Sequence, residues 1–449
     1  MPRKPQEVIQ NRDTTVVSLL KDGSTEFGMS AVPSREVRRT SDVPNKLLPP
    51  HVLFFLIYNL IYFVPIFVVF LWGYGGGGSE AISVMGTATM LKISAAYIAG
   101  TTAFLLGSAL GPFLRWSVRG VSKQNWNPIW FQVSIVEVVF AAAAAIVFII
   151  SKIALIPTGA YQEYAFDAGL MTSGVWNFST FCSETLILVA ILFLFQRKRY
   201  NVLGFFLVTA LNCANLLHGT RVFFISSVMS FVAYLYLRGH ITVRRMFLFG
   251  PPAFVGLLGL TYAIYLARSA ASFSGSLSLI QLVSPLMWES MFSQLSLINV
   301  LNHPSLWDAT GHVFRLLGDA VLFVTPRILL PNKDAFIYIN QFSYLSPKGA
   351  FNGYATGLIY LGLFFPVFYF CLGVIGSWLY RASQRSSWWF ILYVFYTADF
   401  LLHMMRDEYL IPMKMFINTI QWIVILITCR WFCRMIGSEN PGPAADLVV

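Results

Sequence analysis

Five arginines on the predicted outer side of the membrane are the residues of this sequence best suited to bind an anion. They are Arg221, Arg268, Arg315, Arg327 and Arg406. A guanidinium group presents a planar fork of N–H donors that matches the geometry of phosphate or carboxylate. If Arg221, Arg268 and Arg327 converge, their three guanidinium groups would bind one anionic ligand.

A second group of polar residues leads to the same predicted side of the membrane. From Asp399, His403 is at i+4 and Arg406 at i+7, so the three side chains share one helical stripe, and Asp407 and Glu408 follow. A charged side chain at the centre of a bilayer costs about 2.5–3.5 kcal/mol on insertion scales, and such residues are functional candidates. Two interpretations remain open: a polar stripe that locks two helices together, and a catalytic group.

Other charged residues also fall inside apolar segments. They are Lys92, Glu137, Lys152, Glu184 and Lys414. Lys152 is near the end of its segment, where its side chain can reach the interface. The position of Glu137 in the predicted cytoplasmic half of its segment predicts an internal salt bridge.

The composition is that of a helical membrane protein. Of the 449 residues, 57% are hydrophobic and 11% are charged, whereas a soluble protein carries about 25% charged residues. Apolar segments of the roughly 20 residues needed to cross a bilayer recur, and the regular alternation of a barrel is absent. We predict an all-α, polytopic fold with about ten transmembrane helices. The predicted spans are 51–74, 85–110, 131–156, 179–195, 201–218, 220–237, 246–267, 353–380, 387–404 and 410–429.

The distribution of basic residues predicts the orientation. The tail 1–47 and alternate connections hold 21 of the 31 Lys and Arg residues, whereas connections 75–84 and 157–177 hold none. Because cytoplasmic loops are enriched in Lys and Arg, both termini are predicted to be cytoplasmic. The same distribution accounts for most of the net charge of +11, so membrane lipids are the expected partner and nucleic acid is not.

These spans divide the chain into five parts. They are a flexible cytoplasmic tail (1–47), a bundle of seven spans (48–267), a large extracytoplasmic loop (268–352), a bundle of three spans (353–434) and a cytoplasmic tail (435–449). Loops of such length are usually functional or independently structured.

The large loop is predicted to contain two amphipathic helices. One runs from Ile280 to Val300 and is interrupted by Pro285, and the other runs from Gly311 to Val324. We expect both to lie on or dip into the outer leaflet, followed by a proline-punctuated extended strap. The alternative is a loop that merely covers the bundle.

Several short motifs resemble bacterial O-antigen polymerases of the Wzy type, over roughly residues 200–430. The motifs are Leu217-His-Gly-Thr-Arg221, Thr325-Pro-Arg327-Ile-Leu-Leu-Pro331-Asn-Lys333, Gly349-Ala-Phe-Asn352-Gly353 with Gly357-Leu-Ile-Tyr-Leu-Gly362, and His403-Met-Met-Arg406-Asp407. In that family a glycine often follows the arginine of the first motif, and Val222 stands there in this chain.

The resemblance implies an enzyme with a GT-C-like fold in the bacterial inner membrane. It would join oligosaccharide repeat units carried on undecaprenyl pyrophosphate at the periplasmic face, with a chain-length regulator as a further partner. Preorganised cations stabilise a charged leaving group. The implied catalytic residues are Glu289, Arg221, Arg327 and Arg406. The implied substrate-binding residues are Arg268, His312, Arg315, Lys333, His403 and Asp407.

The attacking sugar hydroxyl also needs a proton acceptor. Glu289, His312, Asp407 and Glu408 are the candidates, and Glu289 ranks first because it is the only acid on its predicted helix. No DxD-like acidic cluster, metal-spaced cysteine set, P-loop or glycine fingerprint is present. We therefore expect inverting, metal-independent transfer without a cofactor, and a donor that is not a nucleotide sugar.

Three other functions remain open. An O-antigen ligase would use the same donor but transfer the chain to lipid A core. A flippase or secondary transporter would show inverted repeats with interrupted spans, and no convincing repeat is present, although Pro251-Pro252 could break one span. A membrane-bound acyltransferase would need a catalytic histidine deep in a span, for which His403 is a partial candidate.

Overall fold

The computed structural model describes most of the chain as helix. The described residues are 48–72, 85–111, 134–155, 174–195, 201–217, 222–237, 279–307, 312–325, 329–330, 332–345 and 351–436, with isolated positions between 241 and 259. The α-helices, in chain order, are α1 (Pro50–Trp72), α2 (Thr87–Leu110), α3 (Ile135–Leu155), α4 (Gly174–Leu194), α5 (Asn201–Asn212), α6 (Ala214–Leu217), α7 (Val222–Leu237), α8 (Leu279–Asn302), α9 (Val313–Val324), α10 (Gly353–Leu361), α11 (Phe365–Ala382), α12 (Ser387–Phe395), α13 (Leu401–Arg406) and α14 (Leu410–Ile436).

Six helical segments in the described residues are long and apolar enough to cross a membrane. They are Pro50–Leu71, Thr87–Leu110, Ile135–Ala154, Gly353–Ala382, Ser387–Arg406 and Leu410–Cys433. Each matches a predicted span to within a few residues. Three shorter apolar helices, Phe178–Leu194, Val202–Asn212 and Val222–Leu237, match three more. The all-α membrane class is therefore confirmed, while most of the predicted span 246–267 lies outside the described residues.

The predicted span 201–218 is not one continuous helix. It breaks at Cys213, between α5 and α6. Buried amides surround the break: Asn212 Nδ2 donates to Ser227 Oγ at 3.1 Å, and Asn215 Nδ2 donates to Asn212 Oδ1 at 3.2 Å. Ser183 Oγ of α4 donates to Asn215 Oδ1 at 3.1 Å. These side-chain bonds connect α4, α6 and α7 where the hydropathy pattern alone indicated an uninterrupted helix.

Glycines allow α2 and α11 to pack with their backbones in direct contact. A Cβ atom on Gly107 would overlap the carbonyl group of Phe370, and one on Gly373 would overlap that of Phe104. Small residues at such crossings are the usual means by which membrane helices approach closely. The two helices therefore form a fixed pair beside α1.

A buried polar network joins α10 to its neighbours. Asn352 caps α10 by accepting from the Tyr354 N–H at 2.8 Å, and its amide reaches the Tyr97 hydroxyl at 3.4 Å. The Tyr354 hydroxyl donates to Asn59 Oδ1 of α1 at 2.6 Å. Gln294 of α8 donates to the Tyr97 hydroxyl. Because the polar atoms of the network bond one another across four helices, the motif that starts at Asn352 is anchored in the bundle.

The first predicted loop helix does not lie on a membrane surface. Pro285 does not interrupt α8, which runs continuously from Leu279 to Asn302. Over residues 290–301, nearly every side chain is buried, including both Met291 and Ser293 on different faces. The expectation of an interfacial helix is wrong for this half of α8. The buried serines Ser290, Ser293 and Ser296 let α1, α2 and α10 pack around this part of α8.

The second predicted loop helix, α9, is amphipathic in the structure. Leu316 and Asp319 are buried, whereas the apolar side chains of Phe314, Leu317 and Val321 are exposed. An exposed apolar stripe on a short helix suits contact with lipid at the membrane surface. The segment after α9 was expected to be extended, but it forms 3₁₀ turns at Lys333–Ala335 and Tyr338–Leu345.

Candidate functional site

The site begins at a π-helical turn inside a membrane-spanning helix. The segment Tyr396–Phe400 connects α12 to α13 with π geometry and carries Asp399. The hydroxyl of Tyr58 on α1 donates to the carbonyls of Thr397 and Ala398, at 3.2 and 3.0 Å. Single π turns inside helices are frequent at functional sites. This turn places Asp399, which is fully buried, in the interior of the bundle.

His403 lies between two carboxylates, one helical turn away on each side. Its Nδ1 is 2.6 Å from Asp407 Oδ2, and its Nε2 is 3.5 Å from Asp399 Oδ1. The exposed fractions are 0% for Asp399, 2% for His403 and 5% for Asp407. We call Asp399, His403 and Asp407 the Asp–His–Asp column. The predicted polar stripe of Asp399, His403 and Arg406 is present on this helix, and Asp407 adds a second carboxylate to it.

Arg406 completes the outer end of the column. Its Nη1 is 2.8 Å from Asp407 Oδ1, so the two oxygens of Asp407 receive one bond from His403 and one from Arg406. Asp407 has extended backbone angles because it ends α13, and its N–H donates to the His403 carbonyl at 2.7 Å. Burial alone would raise the pKa of Asp407, but Arg406 and His403 hold that pKa below its usual range.

Charged and polar groups from three other helices face the column. Glu184 of α4 interacts electrostatically with Lys414, Asp399 and His403, and Asn418 Nδ2 lies 3.5 Å from its carboxylate. Ser226 of α7 faces Asp399. The sequence had identified Glu184 and Lys414 as intramembrane charges, and the fold brings them to one cluster.

Glu408 lies just outside the column, between α13 and α14. It is partly exposed, and among the described residues no hydrogen bond to its carboxylate is seen. Burial, followed by the negative charges of Asp407 and Asp319, raises the pKa of Glu408 to about 7. A carboxyl group with a pKa near neutrality can accept and release a proton under ordinary conditions.

Asp319 fixes the loop against the bundle. Its Oδ2 accepts hydrogen bonds from the Tyr360 hydroxyl, from the Tyr338 N–H at 2.9 Å and from the Ile339 N–H at 3.4 Å. Asp319 is 3% exposed, so it connects α9, α10 and the 3₁₀ turn at Tyr338–Leu345. Asp319 and Tyr360 were not predicted as site residues, although the spacing of His312, Arg315 and Asp319 places all three on one face of α9.

Two basic residues of the loop, His312 and Arg315, contact Tyr338. His312 Nε2 is 3.3 Å from the Tyr338 hydroxyl, and the Arg315 guanidinium lies over the Tyr338 ring at 4.4 Å. Partial burial and the charge of Arg315 lower the pKa of His312. Arg315 is exposed, and it therefore remains accessible to a ligand at the membrane surface.

Lys333 has a structural position. Its Nζ donates to the carbonyls of Phe323 and Thr325, at 2.7 and 2.5 Å, and its exposed fraction is 7%. A lysine at this position satisfies carbonyls at the C-terminus of α9. Lys333 therefore stabilises the end of α9, and its role in substrate binding stays a prediction.

Four predicted site residues cannot be related to this cluster. Arg221, Arg268 and Arg327 lie outside the described residues. Glu289 lies on α8, but the structure describes only its backbone. The proposed convergence of the arginines stays a prediction.

The internal salt bridge predicted for Glu137 is confirmed. Arg430 Nε and Nη2 both bond its carboxylate, the latter at 2.9 Å. Ser134 N donates to the same carboxylate at 2.7 Å. With 2% exposure, Glu137 is a paired structural charge rather than part of a site.

The glycines of the Asn352–Gly362 motif allow close helix packing next to the site. A Cβ atom on Gly353 would overlap the Met404 carbonyl, and one on Gly357 would overlap the Tyr409 hydroxyl. Gly362 has a φ of 56°, and a Cβ atom there would overlap the Trp307 carbonyl. Gly353 and Gly357 allow α10 to pack directly on α13 and on the segment before α14, whereas Gly362 is required by its left-handed backbone and by Trp307.

Comparisons of the chain with protein-family models, with curated proteins and with solved structures found no match.

Proposed function

We propose that this protein is a polymerase that joins oligosaccharide repeat units carried on undecaprenyl pyrophosphate. The proposal places about ten spans in the bacterial inner membrane, a GT-C-like arrangement and a large loop on the periplasmic side. Glycosyl transfer is inverting and independent of metal. Membrane lipids surround the protein, and a chain-length regulator is a further expected partner.

The observation that carries this proposal is the combination of charges where α13 ends. Arg406, the buried Asp407 and the partly exposed Glu408 follow one another at the end of a membrane-spanning helix. The amphipathic helix α9 packs on α14 beside them and exposes an apolar stripe. A lipid-linked anionic donor has the matching chemistry, because its polyprenyl chain favours the apolar stripe and its pyrophosphate favours a guanidinium group.

Each group has a role in this reaction. The acceptor hydroxyl attacks the anomeric carbon of the donor sugar from the side opposite the pyrophosphate. Glu408 accepts the hydroxyl proton as the new C–O bond forms. The bond from the anomeric carbon to the pyrophosphate oxygen breaks, and Arg406 stabilises the negative charge on the leaving pyrophosphate. Glu408 has an accessible carboxylate in this arrangement, whereas Asp407 and Asp319 are engaged in hydrogen bonds.

The test uses purified full-length protein in detergent with lipid pyrophosphate-linked repeat units and no nucleotide sugar. Stepwise lengthening of the glycan supports the polymerase. A ligase makes no ladder without lipid A core. Unchanged substrate in the presence of folded protein contradicts the proposal.

The Asp–His–Asp column favours one alternative, a proton-coupled transporter of lipid-linked oligosaccharides. Chains of buried ionisable residues inside membrane helices are typical of proton relays in transporters. Transport needs two compartments and leaves the substrate covalently unchanged. Gradient-dependent movement of the lipid across sealed vesicles, with no product ladder in detergent, would establish the transporter instead.

The orientation is tested by cysteine labelling in intact cells. Ser276→Cys and Asn340→Cys are expected to react with a membrane-impermeant reagent, because the proposal places the loop in the periplasm. Gln384→Cys, in a predicted cytoplasmic connection, should not react and serves as the control. The opposite pattern of labelling would reverse the orientation.

A further inference from the structure

The buried end of the Asp–His–Asp column has polar atoms without hydrogen-bond partners. Neither carboxylate oxygen of Asp399 has such a partner within the described part of the chain, and the same is true of His403 Nε2 and Ser226 Oγ. Asp399, His403 and Ser226 therefore face one another without well-formed hydrogen bonds, and the distance from His403 Nε2 to Asp399 Oδ1 is 3.5 Å, in a region that solvent does not reach. A buried ionisable group in this situation is costly in either charge state, and a change in its protonation has a large electrostatic effect.

The column and Arg406 form a set whose charge balance depends on one proton. Two carboxylates and one guanidinium carry a net charge of −1 when His403 is neutral. When His403 is protonated, the net charge of the set is zero. Asp407 is central to this balance because it bonds both His403 at 2.6 Å and Arg406 at 2.8 Å.

Other ionisable groups near the Asp–His–Asp column also affect its electrostatic environment. Glu184 and Lys414 interact electrostatically with each other, and Glu184 also interacts with Asp399 and His403. Glu408 is next to Asp407, and Tyr58 interacts with Asp399 from α1. Arg406 bonds Asp407, and His403 is the member of this set that lies between two carboxylates.

An anion that binds Arg406 would compete with Asp407 for the guanidinium group. Asp407 would then keep only its bond to His403. The negative charges of Asp399 and Asp407 would both face the His403 imidazole and would no longer be offset by the positive charge of Arg406. The binding of a proton by the imidazole restores the balance. We propose that a phosphate-class anion bound at Arg406 is coupled to the uptake of one proton by the Asp–His–Asp column.

This coupling has a definite sign. Because anion binding takes up a proton, the anion binds more tightly as the pH falls, and by linkage the bound anion increases the affinity of the column for the proton. Uptake of one proton corresponds to a change in Kd of up to about tenfold per pH unit, where the column is deprotonated before binding. The inference shares with the proposed function only the anion at Arg406, and it does not require glycosyl transfer.

The experiment measures the proton directly. Purified full-length protein in detergent is titrated with inorganic pyrophosphate by calorimetry, at several pH values and in buffers of different ionisation enthalpy. Sulfate, whose own charge is constant over the range, is the second probe. We expect the wild-type protein to take up about one proton per bound anion at the pH of maximum coupling.

Two variants locate that proton. His403→Gln keeps a polar side chain between the carboxylates but cannot become cationic. In a Glu408→Gln background, which removes the neighbouring carboxyl group with a pKa of about 7, the His403→Gln substitution should therefore abolish proton uptake. Asp399→Asn removes one of the two carboxylates that favour the protonated imidazole, so the pH of maximum coupling should move to lower values. If His403→Gln binds no anion, the shift in Asp399→Asn decides the assignment.

Several results would overturn the inference. They are wild-type binding without proton uptake at any pH, absence of anion binding by the wild-type protein, and uptake unchanged in both variants. Failure of the proposed polymerase function would look different from failure of this inference. A protein that makes no glycan ladder but takes up one proton when it binds pyrophosphate would contradict the polymerase and support the coupling.

Discussion

Replacement of Glu408 by glutamine separates a catalytic role from a structural one. The substitution keeps the shape of the side chain and removes its ability to accept a proton. If Glu408 is the general base, the rate of glycan elongation should fall by about 10²- to 10⁴-fold. The wild-type rate should also fall about tenfold per pH unit below pH 7, because the pKa of Glu408 is about 7 and its protonated form cannot act as a base.

The same Glu408→Gln substitution should increase stability at pH 8, although it lowers the elongation rate. Burial and two neighbouring acids raise the pKa of Glu408 from 4.5 to about 7. At about 1.4 kcal/mol per pKa unit, the ionised form is destabilised by about 3 kcal/mol, and screening at a partly exposed carboxylate reduces this to about 1–2 kcal/mol. The penalty is absent below pH 4.5 and complete above pH 7. Glu408→Gln should therefore be more stable than wild type at pH 8 and equally stable at pH 4.

The assay compares elongation rate and thermal unfolding in detergent for Glu408→Gln and a matched control. Glu137→Gln has the same chemistry at a paired, buried carboxylate, so it should lose stability. It should keep elongation activity per folded molecule. Near-normal elongation in Glu408→Gln would refute its role as the base and leave Glu289 or His312. A loss of stability at pH 8 would refute the electrostatic reasoning.

Three further changes test other parts of the structure. Gly353→Ala should lower stability by about 1–3 kcal/mol in thermal unfolding, because the new methyl group meets the Met404 carbonyl; unchanged stability would contradict the close packing. Arg430→Gln should cost about 3–5 kcal/mol by leaving Glu137 unpaired, and a double variant with Glu137→Gln should recover much of that loss; additive losses would argue against the pair. Arg221→Lys should abolish most polymer formation at normal protein level, because lysine lacks the bidentate fork; wild-type polymer would limit Arg221 to anchoring a helix.

The fold class followed from composition because hydropathy and helix length are local properties. The six long spans match prediction closely, whereas the break at Cys213 and the burial of α8 were missed. Both depend on tertiary contacts. A helix with serines on several faces has weak hydropathy, and only the surrounding helices reveal that Ser293 and Gln294 are inside the bundle.

The candidate site was predictable only within a single helix. The spacing of Asp399, His403 and Arg406 gave the stripe, since i, i+4 and i+7 positions meet on any regular helix. The spacing did not indicate the π turn or that Glu184 would approach from α4. For Lys333 the sequence could not separate two roles, because a basic side chain on a loop has the same sequence signature whether it binds a ligand or bonds the carbonyls at a helix end.

Asp407 links the membrane interior to the surface without any moving domain. One of its oxygens receives a bond from an imidazole buried between helices, and the other receives a bond from a guanidinium group that is 19% exposed. A ligand that draws Arg406 away therefore alters the electrostatic environment of His403 and, through it, of Asp399. The extended backbone at Asp407 makes this possible, because it ends α13 where the side chain can still reach back one helical turn. A polymerase and a transporter would both use this link, the first to bind pyrophosphate in a pH-dependent way and the second to move a proton.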